Sequence, residues 1–235
     1  MSGRKTILYI KFSERPPSIQ KCTGFSRGAQ AHGWRVQTVT LPASRTPDLK
    51  RLVNFWKADG LVFDCGGIEN PPDMRALKHL PSVFLTCRPA SGARLFTVCE
   101  DLRGTAEAAA RELLQLGYRH FAFVHFPRPR YWSDERARHF RDIIQLNGGT
   151  CDEFAAHDKA GQQTWNRDLR RWLRDLPRPC GIFAANDEVA NLVRGLCAAE
   201  GLKIPDSIAL VGVDNDEFVC RHAVPPLSSV LPGHE

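Results

Sequence analysis

Short apolar runs alternate with longer amphipathic stretches along the whole chain. Residues 60–63 and 208–213 are continuous apolar runs of strand length, whereas residues 101–116 are rich in alanine with a helical spacing of apolar positions. These patterns predict strands at residues 6–12, 34–41, 60–64, 82–87, 95–99, 120–125, 181–184 and 208–213. They predict helices at residues 18–32, 46–57, 71–79, 101–116, 133–147, 163–176 and 187–200. Buried strands that alternate with helices are typical of parallel sheets covered on both faces, so we predict the doubly wound α/β class.

Two of the predicted helices begin with recognisable capping residues. Thr46 is expected as the N-cap of the second helix, because Pro47 then stands in the first helical position, where its missing amide costs no hydrogen bond. Ser133 is expected as the N-cap of the helix at 133–147, because a serine hydroxyl can accept from the unpaired amides of a first turn.

Aspartate, asparagine and arginine side chains collect directly after the predicted strands. They lie at residues 13–15, 64–65, 88, 186–187 and 214–216, and His125 opens a further polar stretch. In doubly wound folds, ligands bind outside the carboxyl ends of the strands. A carboxylate accepts from two vicinal hydroxyls and a guanidinium donates to two oxygens, so this set suits a sugar. Trp132 could add an indole face for a pyranose ring, and Asp187 could instead simply cap its helix.

The net charge of +6 is unevenly distributed over the 235 residues. Residues 1–99 hold 15 basic and 6 acidic side chains, whereas residues 100–235 hold 17 basic and 20 acidic ones. This difference suggests two lobes with different partners, although a chance imbalance of the surface would look the same. The basic segment carries no recognition-helix pattern, so we do not expect this part of the protein to bind DNA directly.

The usual signals of an enzyme, a metal site or a membrane protein are missing from the sequence. It contains no nucleophile elbow, phosphate-binding loop or dinucleotide fingerprint. The eight cysteines include no C-x-x-C pair and are interpreted mostly as small buried thiols. No apolar run approaches a membrane span, and the start lacks the apolar core of a signal peptide. We therefore expect a cytoplasmic protein that is not an enzyme, with no metal and no cofactor.

An ordered set of motifs resembles the LacI/GalR-type effector-binding domains. Residues 99–124 resemble the crossover, first helix and first strand of the second lobe in that family. The pair Arg136 and Phe140 follows, and the rest of the set is residues 185–187, 211–216 and 225–230. The pieces 131–136, 172–177 and 212–217 look most like the sensor half of the xylose-operon regulators, in which an AraC-type helix-turn-helix domain follows the sensor.

The resemblance implies a two-lobed, periplasmic-binding-protein-like fold in which a sugar binds between the lobes and shifts their closure. The implied lobes are residues 1–99 plus 228–235, and residues 100–227. Relatives continue with another helix of the first lobe and a DNA-binding domain, so we expect that lobe to be incomplete here. DNA would be contacted only through an output domain outside these residues, and we also expect a homodimer. The implied effector contacts are Asp214, Asp187 and Arg136, followed by Trp132, Asn186 and Asp64.

One stretch departs from the family pattern, and two other functions stay open. Residues 13–18 read Ser-Glu-Arg-Pro-Pro-Ser where the family often has an aromatic-Gly-Arg turn. The two prolines stiffen this turn and remove two donors, so the identity of the sugar is left open, with a xylose-like pentose preferred. The alternatives are a sugar-binding transport protein and an enzyme on a doubly wound scaffold. Arg136 itself could also be a solvated charge on its helix.

Overall fold

The protein divides into two compact units, Met1–Cys99 and Glu100–Glu235, each built around one parallel sheet. A computed structural model describes residues 4–42, 48–68, 72–87, 95–155 and 161–233. The expected residue after the fourth strand, Arg88, and the expected helix start at Thr46 and Pro47 lie outside the described residues.

The first unit contains a five-stranded parallel sheet in the order β2-β1-β3-β4-β5. Its elements are β1 (Thr6–Lys11), α1 (Pro16–Ala31), β2 (Arg35–Thr40), α2 (Leu49–Trp56), β3 (Gly60–Asp64), β4 (Ser82–Leu85) and β5 (Leu95–Val98). The central strands β1 and β3 are buried, and the stacked rings of Phe63 and Phe84 lie 5.0 Å apart between centroids in the core. Apolar residues with no alternation therefore correspond to strands covered on both faces, as expected.

Two predicted helices of the first unit differ in the structure. The helix α2 is capped by Asp48, whose carboxylate accepts from the Arg51 amide at 3.0 Å. The helix predicted at 71–79 is only a 3₁₀ turn at Arg75–Leu77 within the described residues. The amides of Leu77 and Leu80 each donate to the carbonyl three residues earlier, which is the 3₁₀ rather than the α-helical pattern, and Leu77 is buried.

The second unit contains a five-stranded parallel sheet in the order β10-β9-β8-β6-β7. Its strands are β6 (His120–Val124), β7 (Thr150–Phe154), β8 (Cys180–Ala184), β9 (Ile208–Val213) and β10 (Ser228–Val230). Its helices are α3 (Leu102–Leu114), α4 (Tyr131–Leu146), α5 (Gln162–Asp175), α6 (Asp187–Ala199) and α7 (Glu217–His222). Both sheets are parallel and alternate with helices, so the predicted α/β class is confirmed.

Buried aromatic rings and small residues form the core of the second unit. Phe123 packs edge-on against Phe183 at 5.2 Å, and Phe140 of α4 lies 5.2 Å from Phe183. Helix α3 buries the face formed by Ala106, Ala109, Ala110 and Leu113, which is the spacing of one helical stripe. These contacts fix α3 and α4 against the sheet.

Three elements of the second unit lie outside the strands and helices whose bounds are predicted above. Strand β7 is an edge strand with partly exposed polar residues, helix α7 has six residues, and β10 has three. Strand β10 pairs in parallel with β9, with Ser228 opposite Val211 and Val230 opposite Val213. Residues 228–230 therefore belong to the second sheet, whereas we had expected residues 228–235 in the first lobe.

The start of α4 also differs from the prediction. The helix begins at Tyr131, so Ser133 lies inside its first turn rather than at the N-cap. The buried Ser133 hydroxyl accepts from the Phe126 amide at 3.1 Å and thereby ties the loop after β6 to the helix.

No helix in the described ranges combines the length and apolar character needed to cross a membrane.

Candidate functional site

The carboxyl ends of β6, β8 and β9 lie side by side, because these parallel strands are neighbours in the second sheet. The segments that follow them carry five of the predicted site residues: Trp132 and Arg136 on α4, Asn186 and Asp187 after β8, and Asp214 after β9. The guanidinium of Arg136 reaches the end of β8, where Nη1 donates to the Ala185 carbonyl at 2.6 Å. The structure therefore brings Arg136 next to the segment that supplies Asn186 and Asp187.

Arg136 is a buried charge, with 2% of its surface exposed. Its Nη2 donates to Glu100 at 2.8 Å, which forms an ion pair with a carboxylate that sequence reasoning did not single out. Its Nε has no hydrogen-bond partner within the described part of the chain. The alternative that Arg136 is a solvated helix charge is therefore wrong, since a buried arginine is held only where its charge is compensated.

Trp132 lies one helical turn before Arg136, and its indole ring packs against the guanidinium. The distance from the Arg136 guanidinium carbon to the ring is 5.1 Å to the centroid, within the range of a cation–π contact. Phe126 packs on the same indole at 5.4 Å between centroids. Trp132 thus helps to hold Arg136 in place and is only half-buried itself.

Asn186 is the N-cap of α6, because its side-chain oxygen accepts from the Val189 amide at 3.0 Å. Asp187 is therefore not the N-cap, and the alternative that Asp187 only caps its helix is wrong. Its Oδ2 accepts from the Asp216 amide at 2.8 Å and from the Cys220 thiol at 3.4 Å. Asp187 therefore connects the start of α6 to the turn after β9.

Burial raises the pKa of Asp187, whose side chain is 1% exposed. The hydroxyl of Ser229, the Asp216 amide and the Cys220 thiol act in the opposite direction by stabilising the carboxylate. Gly212 faces this carboxylate so closely that a Cβ there would collide with Asp187 Oδ1. A glycine at position 212 is thus what allows an acidic side chain to lie against β9.

Asp214 has an unusual backbone conformation, with φ at +109°, and Asn215 follows with φ at +47°. The turn is fixed by two hydrogen bonds to the last strand: the Asp214 amide donates to the Val230 carbonyl at 3.1 Å, and the Asn215 amide to the Ser229 hydroxyl at 3.0 Å. A non-glycine residue in this region of φ is strained, and such strain is concentrated at functional sites. Asp214 is half-buried at the carboxyl end of β9.

The first unit holds Asp64 in a separate polar cluster at the end of β3. The carboxylate is 1% exposed and accepts from the Ser18 hydroxyl at 2.5 Å, while Lys21 forms an ion pair with it at 2.9 Å. The Gly66 amide donates to the same carboxylate at 3.3 Å. Lys21 also donates to the Thr86 hydroxyl at 2.9 Å. Asp64 thus has partners in its own unit, and the sequence had not pointed to Ser18 or Lys21.

His125 after β6 is part of a hydrogen-bonded group on the edge strand β7. Its Nε2 lies 3.0 Å from Glu153, and Arg141 binds the other oxygen of that carboxylate at 2.5 Å. The hydrogen bond to His125 and the contact with Arg141 lower the pKa of Glu153. Glu153 was missed because β7 was not predicted. Nowhere in residues 4–42, 48–68, 72–87, 95–155 and 161–233 do three metal-ligating side chains come together in a way that could hold a metal ion.

The chain belongs to the family of periplasmic binding protein-like domains, which matches residues 110–235. Among curated proteins, the HTH-type transcriptional regulator DegA of Bacillus subtilis strain 168 is 28% identical over 179 residues, which are 74% of this chain and 52% of that protein. The Xylose operon regulatory protein of Escherichia coli strain K12 is 28% identical over 141 residues, or 58% of this chain and 36% of that protein. The chain spans about half the length of these curated relatives or less.

A solved structure has the same fold over nearly the whole chain. It is the periplasmic binding protein/LacI transcriptional regulator from Alkaliphilus metalliredigens QYMF in complex with D-xylulofuranose. It is 18% identical, with a TM-score of 0.73, and the match covers 96% of this chain and 83% of that one. The regulators among the relatives and the LacI-type folds among the solved structures confirm the resemblance to LacI-type effector-binding domains.

Proposed function

We propose that the chain is the sugar-sensing domain of a transcription regulator and that its effector is an uncharged pentose similar to xylose. The single observation that carries the proposal is the buried Arg136, held at the carboxyl end of β8 beside Asn186 and Asp187. The relatives support it, because one curated protein is named for the xylose operon and one solved regulator holds a ketopentose.

The chemistry of these side chains favours a neutral polyol over an anionic effector. Arg136 is already paired with Glu100 at 2.8 Å, and two other predicted site residues, Asp187 and Asp214, are acidic. An anionic effector would meet these two carboxylates, whereas hydroxyls can donate to the carboxylates and accept from the guanidinium. Trp132 contributes by holding the guanidinium in position, as a positioning residue.

Several further properties follow from this proposal. Effector binding shifts an equilibrium between two states of the sensor, and an output domain outside these residues reads that shift on DNA. A homodimer and a cytoplasmic location are part of the same proposal. Asp64 is the weakest of the effector residues, because its carboxylate is already held by Ser18 and Lys21.

A titration with D-xylose, other pentoses and hexoses tests the proposal. Tryptophan fluorescence is the readout, because Trp132 contacts Arg136 and any change at the guanidinium alters its surroundings. We expect a saturable change with a pentose and none with a sugar phosphate. If none of the sugars changes the fluorescence or raises the melting temperature of the folded chain, the sugar-sensing proposal is wrong.

Two matched variants distinguish sugar binding at the proposed site from a non-specific change in fluorescence. Asp214→Asn removes the charge that we place in the site, and we expect about a 10- to 100-fold loss of affinity, the range for one hydrogen bond to a charged group. The control is Asp142→Asn, whose carboxylate is exposed on α4. Equal affinities of the two variants would remove Asp214 from the site while leaving sugar sensing by the wild-type chain intact.

A further inference from the structure

Three cysteines lie at the carboxyl ends of three neighbouring strands in the first unit. Cys65 follows β3 directly, Cys87 stands two residues after β4, and Cys99 follows β5 directly. The strands are adjacent in the order β3-β4-β5, with Asp64 opposite Leu85 and Leu85 opposite Val98. Since neighbouring strands lie about 4.8 Å apart, the cysteines at the ends of adjacent strands, Cys65 with Cys87 and Cys87 with Cys99, come near the separation that a disulfide can bridge.

The contacts of the three side chains connect them in a row. The Cys99 thiol donates to the Cys87 carbonyl at 3.3 Å, and the Cys65 and Cys87 side chains lie close enough that each shifts the pKa of the other. Cys65 and Cys87 are buried, with 1% and 4% exposed, whereas Cys99 is exposed. The interpretation of the cysteines as buried thiols thus fits two of these residues but not Cys99.

The interaction between these two side chains makes them chemically unequal: it lowers the pKa of the Cys87 thiol, whereas it raises the pKa of the Cys65 thiol, as does burial. A thiol with a lowered pKa reaches the thiolate form more easily, and the thiolate is the nucleophile in disulfide exchange. Cys87 therefore stands as the nucleophile between an exposed thiol on one side and a buried thiol on the other.

We propose that Cys65, Cys87 and Cys99 form a thiol–disulfide exchange site, which is oxidised by a low-molecular-weight disulfide at Cys99 and comes to rest as a Cys65–Cys87 disulfide. The site takes a small disulfide such as oxidised glutathione as its oxidant. It does not depend on the proposed sugar-sensing function.

The electrons and protons of the exchange balance in three steps. The Cys99 thiolate attacks the small disulfide, which forms a mixed disulfide and releases one thiolate. The Cys87 thiolate attacks the sulfur of Cys99, which forms a Cys87–Cys99 disulfide and releases the second small thiolate. The Cys65 thiol gives its proton to a released small thiolate as its sulfur attacks the sulfur of Cys87, which forms the Cys65–Cys87 disulfide and restores the Cys99 thiolate. Two protein thiols are oxidised, one small disulfide is reduced to two thiols, and the two protons pass to the released thiolates.

The Cys65–Cys87 disulfide would form directly beside the polar cluster around Asp64 in the first unit. Cys65 is next to Asp64 and Cys87 is next to Thr86, and Lys21 bridges these two residues through bonds of 2.9 Å to each. Thr86 has a positive φ of +59°, so its conformation depends on the contacts that hold it. A covalent bond between the neighbouring cysteines would fix the ends of β3 and β4 relative to each other.

Mass spectrometry of the folded chain after exposure to oxidised glutathione tests the proposal. Trypsin places the three cysteines on different peptides, residues 58–75, 79–94 and 95–103, so each linkage gives a distinct product. We expect the wild type to lose two hydrogens in mass and to yield a linked pair of the first two peptides, which dithiothreitol separates. A wild-type product in which Cys99 stays glutathionylated, or in which all three thiols stay reduced, would overturn the proposal.

Serine variants stop the exchange at defined points. Cys87→Ser should halt at the mixed disulfide of Cys99 with glutathione, Cys65→Ser should halt at a Cys87–Cys99 disulfide, and Cys99→Ser should slow the appearance of the final product. The control is Cys197→Ser in the second unit, where the thiol is buried and should have no effect. Equal oxidation rates for Cys99→Ser and the wild type would contradict the entry step, whether or not the other variants fold.

Discussion

Arg136 and Ala185 are joined by a hydrogen bond of 2.6 Å from the guanidinium Nη1 to the carbonyl oxygen. Ala185 stands between the end of β8 and Asn186, the N-cap of α6, so this bond holds α4 against the point where strand turns into helix. Nη2 of the same guanidinium binds Glu100 at 2.8 Å. One side chain therefore connects three separate segments of the second unit.

We expect Arg136→Ala to lower the free energy of unfolding by about 3 kcal/mol, because the Glu100 carboxylate, only 11% exposed, is then left without its partner. Urea denaturation of the variant and the wild type measures the difference. The control is Arg138→Ala, two positions further along α4, where the arginine is 46% exposed. That change should cost less than about 1 kcal/mol, as for exposed ion pairs. Equal losses from the two substitutions would show that Arg136 does not have the role in stability described above.

Gly212→Ala should destabilise the fold by about 1–3 kcal/mol, the usual range for overpacking. The added Cβ would collide with Asp187 Oδ1 and would also meet the Ala190 Cβ at 3.2 Å. Because Asp187 is held by the Asp216 amide, it cannot move away without losing that bond. Thermal or urea unfolding of the variant measures the effect.

Gly195→Ala is the matched control for this glycine. Gly195 lies inside α6 with open space where a Cβ would stand. Alanine there should stabilise the fold by about 0.5–1 kcal/mol, because glycine has the poorer helix propensity. The two substitutions therefore have opposite signs, and a Gly212→Ala variant that is as stable as the wild type would contradict the close approach at Gly212.

The way in which the free energy of unfolding changes with pH in the acidic range should depend on Asp187. Burial raises its pKa in the folded state above the usual 3.8, so the folded state keeps a proton over a range in which the unfolded chain has released it. The stability that Asp187 contributes is complete below pH 3.8 and is lost as the pH rises through the folded-state pKa. Asp187→Asn does not titrate, so its stability relative to the wild type should increase across that window and then level off. Urea unfolding at a series of pH values checks the sign.

The fold was predictable because its strongest signals are local. The buried strands β3 and β9 are continuous apolar runs, and α3 carries a clear stripe of alanines, so both kinds of element stand out in the sequence. The edge strands do not stand out, because β7 is polar and partly exposed and β10 is too short to show a repeating pattern of apolar positions. Their positions depend on pairing with β6 and β9, which is a tertiary effect.

The candidate site was predictable in its residue types but not in its partners. A strand-end rule is enough to select Asp187 and Asp214 as candidates, whereas Arg136, inside α4, was selected only through the family resemblance. It does not find Glu100, which pairs with Arg136 from 36 residues away, or Lys21, which pairs with Asp64 from a helix. It also cannot choose between Asn186 and Asp187 as the helix cap, because that depends on the backbone geometry of one turn.

Asp214→Gly should change stability and effector binding in opposite directions. Aspartate at φ +109° is strained, and glycine adopts this conformation without a Cβ penalty, so the variant should gain about 1 kcal/mol of unfolding free energy. The proposed function places the same carboxylate against the sugar, so the variant should also lose affinity for the pentose that the wild type binds. Urea unfolding and the fluorescence titration measure the two effects on the same preparation.

Asn215→Gly provides the comparison for this substitution. Asn215 has a φ of +47°, a conformation that asparagine tolerates, and its amide rather than its side chain binds Ser229. We therefore expect a smaller change in stability and an unchanged affinity. A loss of stability in Asp214→Gly would mean that the carboxylate contributes more to the fold than the strained backbone costs. Asp214 would then be a structural residue, and the strain at the end of β9 could no longer be taken as a sign of a binding site.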